Sequence, residues 1–366
     1  MQHEDTAAVA TYRGEAVENT HRAHIAVVDF DGRLLLSSGH SMRQTYPRSA
    51  AKPAQALAVL ETGALERFGF DEEDLALMCG SHSSEPRHIE RARAMLAKTG
   101  AQEADLQCGS HPPISAAVAR DWLLRGFTPT PLCSNCSGKH VGMLAAALTL
   151  GAGTQGYQRP EHPIQARVRQ AVSELCDVPS ASVDWGVDGC NLPTPALPLA
   201  SLATLYARLA QAAETDACGT LAASSGPHQA ALGRIYRAMT GHPEWVAGED
   251  RFCTQLMQTF GSALVGKTGA DGCYSLGLRP CEQTRRLGAS GAVGIAIKVE
   301  DGHIGVLYML VCEVLERLQI GTPAQRQALS GFHRPSMRNT MGQTTGHAQF
   351  TFQLRVPAVE PPHGTK

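Results

Sequence analysis

Two serines and two lysines stand where a nucleophile and its base would be needed. Ser49 and Lys52, in "RSAAKPAQAL", lie three residues apart at the front of an apolar run. On the first turn of a helix, positions i and i+3 share a face. Pro53 is tolerated only near a helix start, so Ser49 sits at the helix entrance, where free N–H groups and the dipole favour an oxyanion. A serine hydroxyl is a weak nucleophile until a base takes its proton. A lysine buried among apolar groups loses hydration, its pKa falls, and its neutral amine can be that base. The plainer alternative is a capping serine beside a surface lysine. "CGSHSSE" adds Ser81 in a polar loop after an apolar run, and "GKTGADG" adds Lys267 on a strand edge.

A second constellation is metal-like. "PLCSNCSGKHVGM" carries Cys133, Cys136, Lys139 and His140 where a helix should begin, and "WGVDGCNLPTP" adds Asp188 and Cys190 in a loop bracketed by glycine and proline. Zinc takes thiolates, imidazoles or carboxylates in a tetrahedral array. A single Cys-x-x-Cys is equally well two core cysteines flanking a helix cap. If Ser134 or Asn135 caps the helix, Cys136 and Lys139 fall about one turn apart on one face. Lysine ligates only when neutral, and a divalent cation favours that form.

These residues need elements to hold them. "AHIAVVDFDGRLLLSSG" reads as a hairpin about Asp31-Gly32. "PAQALAVLETG" reads as a helix stopped by Gly63. "LALMCGSHSSEPRHIERARAMLAKTG" reads as a short buried segment, a polar loop and a helix opened by Pro86. "SGKHVGMLAAALTLGAG", "PIQARVRQAVSELCD", "LASLATLYARLAQAA" and "PHQAALGRIYRAMTG" follow helical periodicity. "EDRFCTQLM" places Cys253 on an amphipathic helix. "SALVGKTGADGCYSLGL" predicts two strands around a glycine-rich turn, "GAVGIAIKVEDG" a strand, "HIGVLYMLVCEVLERLQ" a long helix and "AQFTFQLRVP" a last strand. The expected architecture is α/β of the α+β kind: one mainly antiparallel sheet flanked by helices, a single domain over residues 1–366 with a helical insertion at about 75–260.

The totals narrow the classes. The chain has 366 residues, 43% hydrophobic and 18% charged, with a net charge of -2. With no long basic run and only 5% aromatics, nucleic acid is a poor partner. No apolar stretch is long enough to span a bilayer and the N-terminus has no signal-peptide core, so a cytoplasmic protein is expected. Eleven scattered cysteines do not suggest a disulfide framework.

Ser-x-x-Lys, then "SNC" at Ser134 to Cys136, then Lys-Thr-Gly echoes the signature of penicillin-recognising serine hydrolases, with Cys136 where that signature has asparagine. The strings "RSAAKPAQAL", "CGSHSSEPRHIERARAML", "CSNCSGKHVGMLA", "DGCNLPTPA", "ALVGKTGADG" and "NTMGQTTG" closely resemble the rhizobial-type, or class 3, L-asparaginases, from about Gly14 to Leu354. The resemblance implies a serine-β-lactamase-like fold, a homodimer and hydrolysis of L-asparagine to L-aspartate and ammonia. It implies two serine–lysine tandems, Ser49 with Lys52 and Ser81 with Lys267. It implies one zinc per subunit held by Cys136, Lys139, Cys190 and water, with His140, Asp188 and Cys253 nearby.

The chemistry expected of that set is attack on the side-chain amide by a lysine-activated serine, loss of ammonia and hydrolysis of an aspartyl ester. Ser49 is favoured as nucleophile on the penicillin-recogniser pattern, with Ser81 as the other candidate. Two thiolates leave zinc little residual charge, so a positioning role suits it better than strong Lewis acidity. Arg48 is the candidate for the substrate's α-carboxylate and Asp188 for its α-ammonium. The nearest alternatives are a glutaminase or a β-lactam hydrolase of the same fold; the remoter one is a non-catalytic zinc-binding protein.

Overall fold

The computed structural model describes residues 7–217 and 228–357. The chain opens with β1 (Ala7–Arg13), β2 (Ala16–Asp29), β3 (Leu34–Ser38) and β4 (Gln44–Thr45), then a 3₁₀ turn over Arg48–Ala51. Helices follow: α1 (Lys52–Leu60), α2 (Ala64–Phe68), α3 (Glu72–Met78), α4 (Pro86–Thr99), α5 (Ala116–Arg125), α6 (Ser137–Thr149) and α7 (Pro163–Cys176). After β5 (Asp184–Val187) and β6 (Pro193–Pro198) come α8 (Leu199–Ala217), α9 (Gln229–Gly241), α10 (Pro243–Val246) and α11 (Phe252–Phe260). The last part holds β7 (Leu264–Gly269), β8 (Cys273–Leu278), α12 (Glu282–Arg286), β9 (Val293–Val299), α13 (Ile304–Arg317), β10 (Met337–Arg338) and β11 (Thr344–Phe350).

The main sheet runs β10-β11-β1-β2-β9-β8-β7, all antiparallel, with β3 also paired to β2. The hairpin about Asp31-Gly32 is present, with Val28 opposite Leu34 and Gly32 at φ +85°. The final strand ends earlier than its sequence suggests, at Phe350, and pairs with β1 from the other end of the chain. A separate three-stranded sheet, β4-β6-β5, sits within the helical stretch. The fold is thus mixed α and β, with a mainly antiparallel sheet and many helices.

Side chains alternate across a strand, so parity sorts the sheet's two faces. On one face, a Cβ at Gly277 or Gly294 would lie within 2.2 or 1.9 Å of carbonyl oxygens of α8, so α8 presses directly on the backbone there. On the other, Tyr274 meets Tyr308 of α13 edge-on at 6.4 Å. Lys267 lies opposite Ser275, which shares the parity of Gly277, so it points to the α8 side; its neighbour Thr268 points to the α13 side and donates to Tyr308 at 3.3 Å.

α1 is buried at every position from Lys52 to Val59. A helix that is apolar all round belongs in an interior, and it packs among α6, α7 and α9. Its single lysine is carried inside with it. The segment read as short and buried before the polar loop is the helix α3. Asp71 caps it, its carboxylate accepting from the Asp74 N–H at 2.9 Å. Asp74, 2% exposed, ion-pairs with Arg91 at 2.8 Å and accepts from Lys98 at 2.8 Å. Both partners lie on α4, so α3 and α4 are clamped and the loop between them, residues 79–85, is fixed at both ends.

Candidate active site

That loop is threaded between two backbones. Ser81 N–H donates to Val246 O at 2.8 Å and His82 N–H donates to Asn135 O at 3.1 Å. A Cβ on Gly80 would lie 2.5 Å from the Trp245 carbonyl oxygen, so only glycine allows this approach. His82 is buried and its pKa is driven well below the usual imidazole value, by burial first and then by nearby positive charge. Its Nδ1 accepts from the Ser84 N–H at 3.2 Å, so the proton is on Nε2, which donates to Ser137 Oγ at 2.9 Å. The imidazole is a neutral brace linking the loop to α6.

Ser81 presents its hydroxyl to two lysines. Lys267 Nζ lies 2.9 Å from Ser81 Oγ and donates to Thr268 O at 2.8 Å. Lys52 Nζ lies 3.1 Å from the same Oγ and donates to Gly80 O. The three side chains are almost sealed, at 0%, 6% and 1% exposure for Lys52, Ser81 and Lys267. Burial pushes the Lys267 amine down to about 7, and the positive charges of Lys52 and Arg251 add to it. Ser49, on the 3₁₀ turn, is partly buried. The reach of Lys52 from Ser49's own turn is therefore across to the loop.

This arrangement offers a serine hydroxyl, a lysine amine pushed down to about 7 and so able to take its proton, and a second lysine in hydrogen-bond contact with the same oxygen. Gly269, after Lys267 and Thr268, ends the edge strand, and a Cβ there would sit 2.0 Å from the Pro47 carbonyl. This contact locks β7 against the turn that carries Arg48 and Ser49. Cys253 lies on the outer side of β7: its Sγ accepts from the Thr268 N–H at 3.2 Å and is 3.1 Å from Thr268 Oγ1. It braces the strand bearing Lys267.

The second constellation is also assembled. α6 begins at Ser137 with Cys136 itself at the cap position and no side-chain capping bond, so neither Ser134 nor Asn135 caps it. Lys139 donates to Cys190 Sγ at 3.0 Å, and Asp188 Oδ2 is 3.9 Å from the same sulfur. A hydrogen bond from Cys136, with the charge of Lys139 adding to it, brings the Cys190 thiol down to about 5 against the cost of burial. The same bond and burial push Cys136 up to about 12. Burial disfavours the Lys139 ammonium, but Cys190, Cys136 and Asp188 outweigh it and its pKa rises.

Arg48 donates through Nε to Asp188 Oδ1 at 2.7 Å and through Nη1 to Asp271. Its backbone is left-handed at φ +51°, a costly conformation for a side-chain-bearing residue. Two carboxylates hold it there, and Asp188 is kept ionised against its burial chiefly by Lys139 and Arg48. Arg48 thus bridges the turn of Ser49 to the loop of Cys190.

Among the described residues no cluster of three or more His, Cys, Asp or Glu has metal-holding geometry. The set at hand has a lysine in place of a third such ligand. Its donors nevertheless suit zinc: two sulfurs and one amine meet in a buried pocket, with one sulfur already ionised. Beside them His140 Nε2 is buried without a hydrogen-bond partner, a polar atom the protein itself leaves unsatisfied.

Several working residues carried no separate signal in the sequence. His82 and Gly80 lie within "CGSHSSE", whose run of polar residues after an apolar helix marks a buried polar loop. Asp271 stands in the turn after Lys267. Tyr157 and Ser137 are ordinary-looking, and only the fold brings them in.

Among the described residues no helix is long and apolar enough to cross a membrane. No curated protein matches the chain. Residues 9–350 match the family described as L-asparaginase II, the rhizobial-type asparaginases, and the chain belongs to that family.

Proposed function

We propose that this chain hydrolyses the side-chain amide of L-asparagine, giving L-aspartate and ammonia, with Ser81 as nucleophile and Lys267 as its base. The observation that carries the reading is the Ser81 hydroxyl 2.9 Å from a lysine amine pushed down to about 7. The neutral Lys267 amine takes the Ser81 proton as Oγ attacks the amide carbon. Lys52 spends two of its donors on Gly80 O and Ser81 Oγ, leaving a third for the developing oxyanion. The proton held by Lys267 passes to the amide nitrogen, the C–N bond breaks and ammonia leaves. Lys267 then takes a proton from water, the resulting hydroxide attacks the aspartyl ester carbon, the C–O bond to Ser81 Oγ breaks with release of aspartate, and the Lys267 ammonium returns the proton to Oγ.

Cys136, Lys139 and Cys190 would hold zinc, which when bound supplies a positive centre for positioning substrate polar groups. Asp188, next to that cluster, suits the substrate's α-ammonium. Arg48 already serves two carboxylates, so its role is to fix Asp188 and the Ser49 turn, with its free Nη2 left for an α-carboxylate. The Ser-x-x-Lys turn packed on an edge strand bearing Lys-Thr-Gly supports the serine-β-lactamase-like arrangement. The homodimer and the cytoplasmic setting rest on the family resemblance and on the sequence.

A second reading has one observation in its favour. Ser49 is more exposed than Ser81, so it meets substrate more readily, with Ser81 and the lysines relaying its proton. Mass spectrometry of acid-quenched enzyme during turnover separates the two. We expect a mass gain matching an aspartyl ester on the peptide holding Ser81, abolished in Ser81→Ala and retained in Ser49→Ala. An adduct on the Ser49 peptide overturns the assignment. Near-normal ammonia release by both folded variants overturns the covalent scheme. Parallel assays with glutamine and a chromogenic β-lactam define the substrate, since one methylene is worth only about 1–3 kcal/mol in a pocket.

A further inference from the structure

Tyr157 lies far from either serine–lysine pair in sequence and is 0% exposed. A phenylalanine would fill the same volume, and a buried hydroxyl costs free energy unless it is bonded. Here it is bonded on two sides. Gln107 N–H donates to Tyr157 Oη at 2.9 Å, and Tyr157 Oη is 2.6 Å from His140 Nδ1. The oxygen accepts from Gln107 and shares a second hydrogen bond with Nδ1, so both of its contacts are hydrogen-bonded.

The chain of bonds continues. Asn191 Nδ2 donates to Gln107 O at 3.2 Å, and Asn191 N–H closes a turn onto Asp188 O at 2.8 Å. That turn contains Cys190. Gln165 Nε2 donates to the Tyr157 carbonyl at 2.8 Å and fixes the tyrosine's own backbone. Three links therefore run from the helix carrying Lys139, through Tyr157 and the backbone of Gln107, to the loop carrying Cys190.

We propose that Tyr157 is a positioning residue that holds the Cys190 loop against α6 through its hydroxyl, setting the separation of Cys136, Lys139 and Cys190. This rests on the reading of that cluster as a zinc site, and the two are separable. Ligand-supporting hydrogen bonds typically contribute 10–100-fold to metal affinity. They do so without touching the metal, because each ligand that wanders must be re-ordered on binding.

The test uses Tyr157→Phe, Asn191→Ala and the double variant, with two readouts. Zinc affinity is measured by competition with a chromophoric chelator, and amide hydrogen exchange is measured on the metal-free proteins. We expect each single variant to bind zinc about 10–100-fold more weakly. The double variant should be no worse than the weaker single one, since both cut the same chain. Exchange should quicken in the segments around Gln107 and 188–191 while the melting temperature moves little. Unchanged exchange in Tyr157→Phe overturns the proposal, as does faster exchange with wild-type affinity. If the wild-type protein takes no zinc, the metal reading fails and alkylation of Cys190 by iodoacetamide decides. Faster modification in Tyr157→Phe then supports the strut, and an equal rate overturns it.

Discussion

Lys267 and Lys139 are buried alike, at 1% and 3% exposure, yet their environments drive them in opposite directions. Lys267 is pushed down to about 7 first by burial, with the charges of Lys52 and Arg251 adding to it. Lys139 faces Cys190, Cys136 and Asp188, and its ammonium is reinforced. Burial alone penalises both charged forms. Anionic partners decide the difference: at Lys139 two sulfurs and a carboxylate outweigh burial and keep the ammonium, whereas at Lys267 burial prevails. The contrast teaches that burial lowers a lysine unless anionic partners outweigh it.

The largest test of that contrast is to remove each amine. Lys267→Met should cut ammonia release by about 10²–10⁴-fold, the usual worth of a positioned general base. In the wild-type enzyme kcat/KM should fall about tenfold per pH unit below about pH 7, because only the neutral amine acts. Lys139→Met instead leaves Cys190 without one of its two donors and should destabilise the metal-free protein by about 1–3 kcal/mol in urea unfolding. Equal effects of the two substitutions on activity and stability would break the comparison.

Next in size is the pH dependence of zinc binding that the proposed Cys136, Lys139 and Cys190 site would show. Cys190 is ionised above about 5, so the protons zinc must displace are those of Cys136 and Lys139. Zinc affinity should rise by up to about 100-fold per pH unit near neutrality, with nearly two protons released. Calorimetry in buffers of different ionisation enthalpy counts them. A pH-independent affinity would remove the ammonium–thiolate pair from the metal-free state.

The smallest effect sharpens the comparison through stability. Lys267 has an unfolded value near 10.5 and a folded value of about 7. Between these the unfolded chain binds more protons, so its contribution to stability improves as pH rises from 7 to 10.5. Below about 7 its penalty is fully present. Lys267→Met should therefore melt several degrees higher than wild type at pH 6, with the gap closing towards pH 10. A gap that does not close would mean the gain came from packing.

Local pattern made much of this legible. The all-apolar surroundings of Lys52 in "AKPAQALAVL" foretold a buried lysine, and α1 is buried to match. Pro86 opens α4 and the Asp31-Gly32 hairpin forms, because both depend on a few adjacent residues. Ser49 and Lys52 read as neighbours from their spacing. A lysine side chain is long, however, and Lys52 reaches Ser81, 29 residues away in sequence, which no local periodicity encodes. The same holds for Lys267, 186 residues from Ser81, which family resemblance alone had placed with it. The pairing of β1 with β11 and the small sheet of β4, β5 and β6 are likewise set by distant partners. Cys253 read equally well as packed core, and its sulfur braces Thr268 on the strand that carries Lys267.

The pairing of β1 with β11 puts the first and last described strands side by side, while Lys267 rides on β7 at the opposite margin of the sheet. Four strand spacings of about 4.8 Å separate β1 from β7, close to 20 Å. Ala7 and Thr351, joined through the Thr351 hydroxyl and the Ala7 carbonyl, therefore lie on one flank of the sheet, away from the margin that carries Lys267.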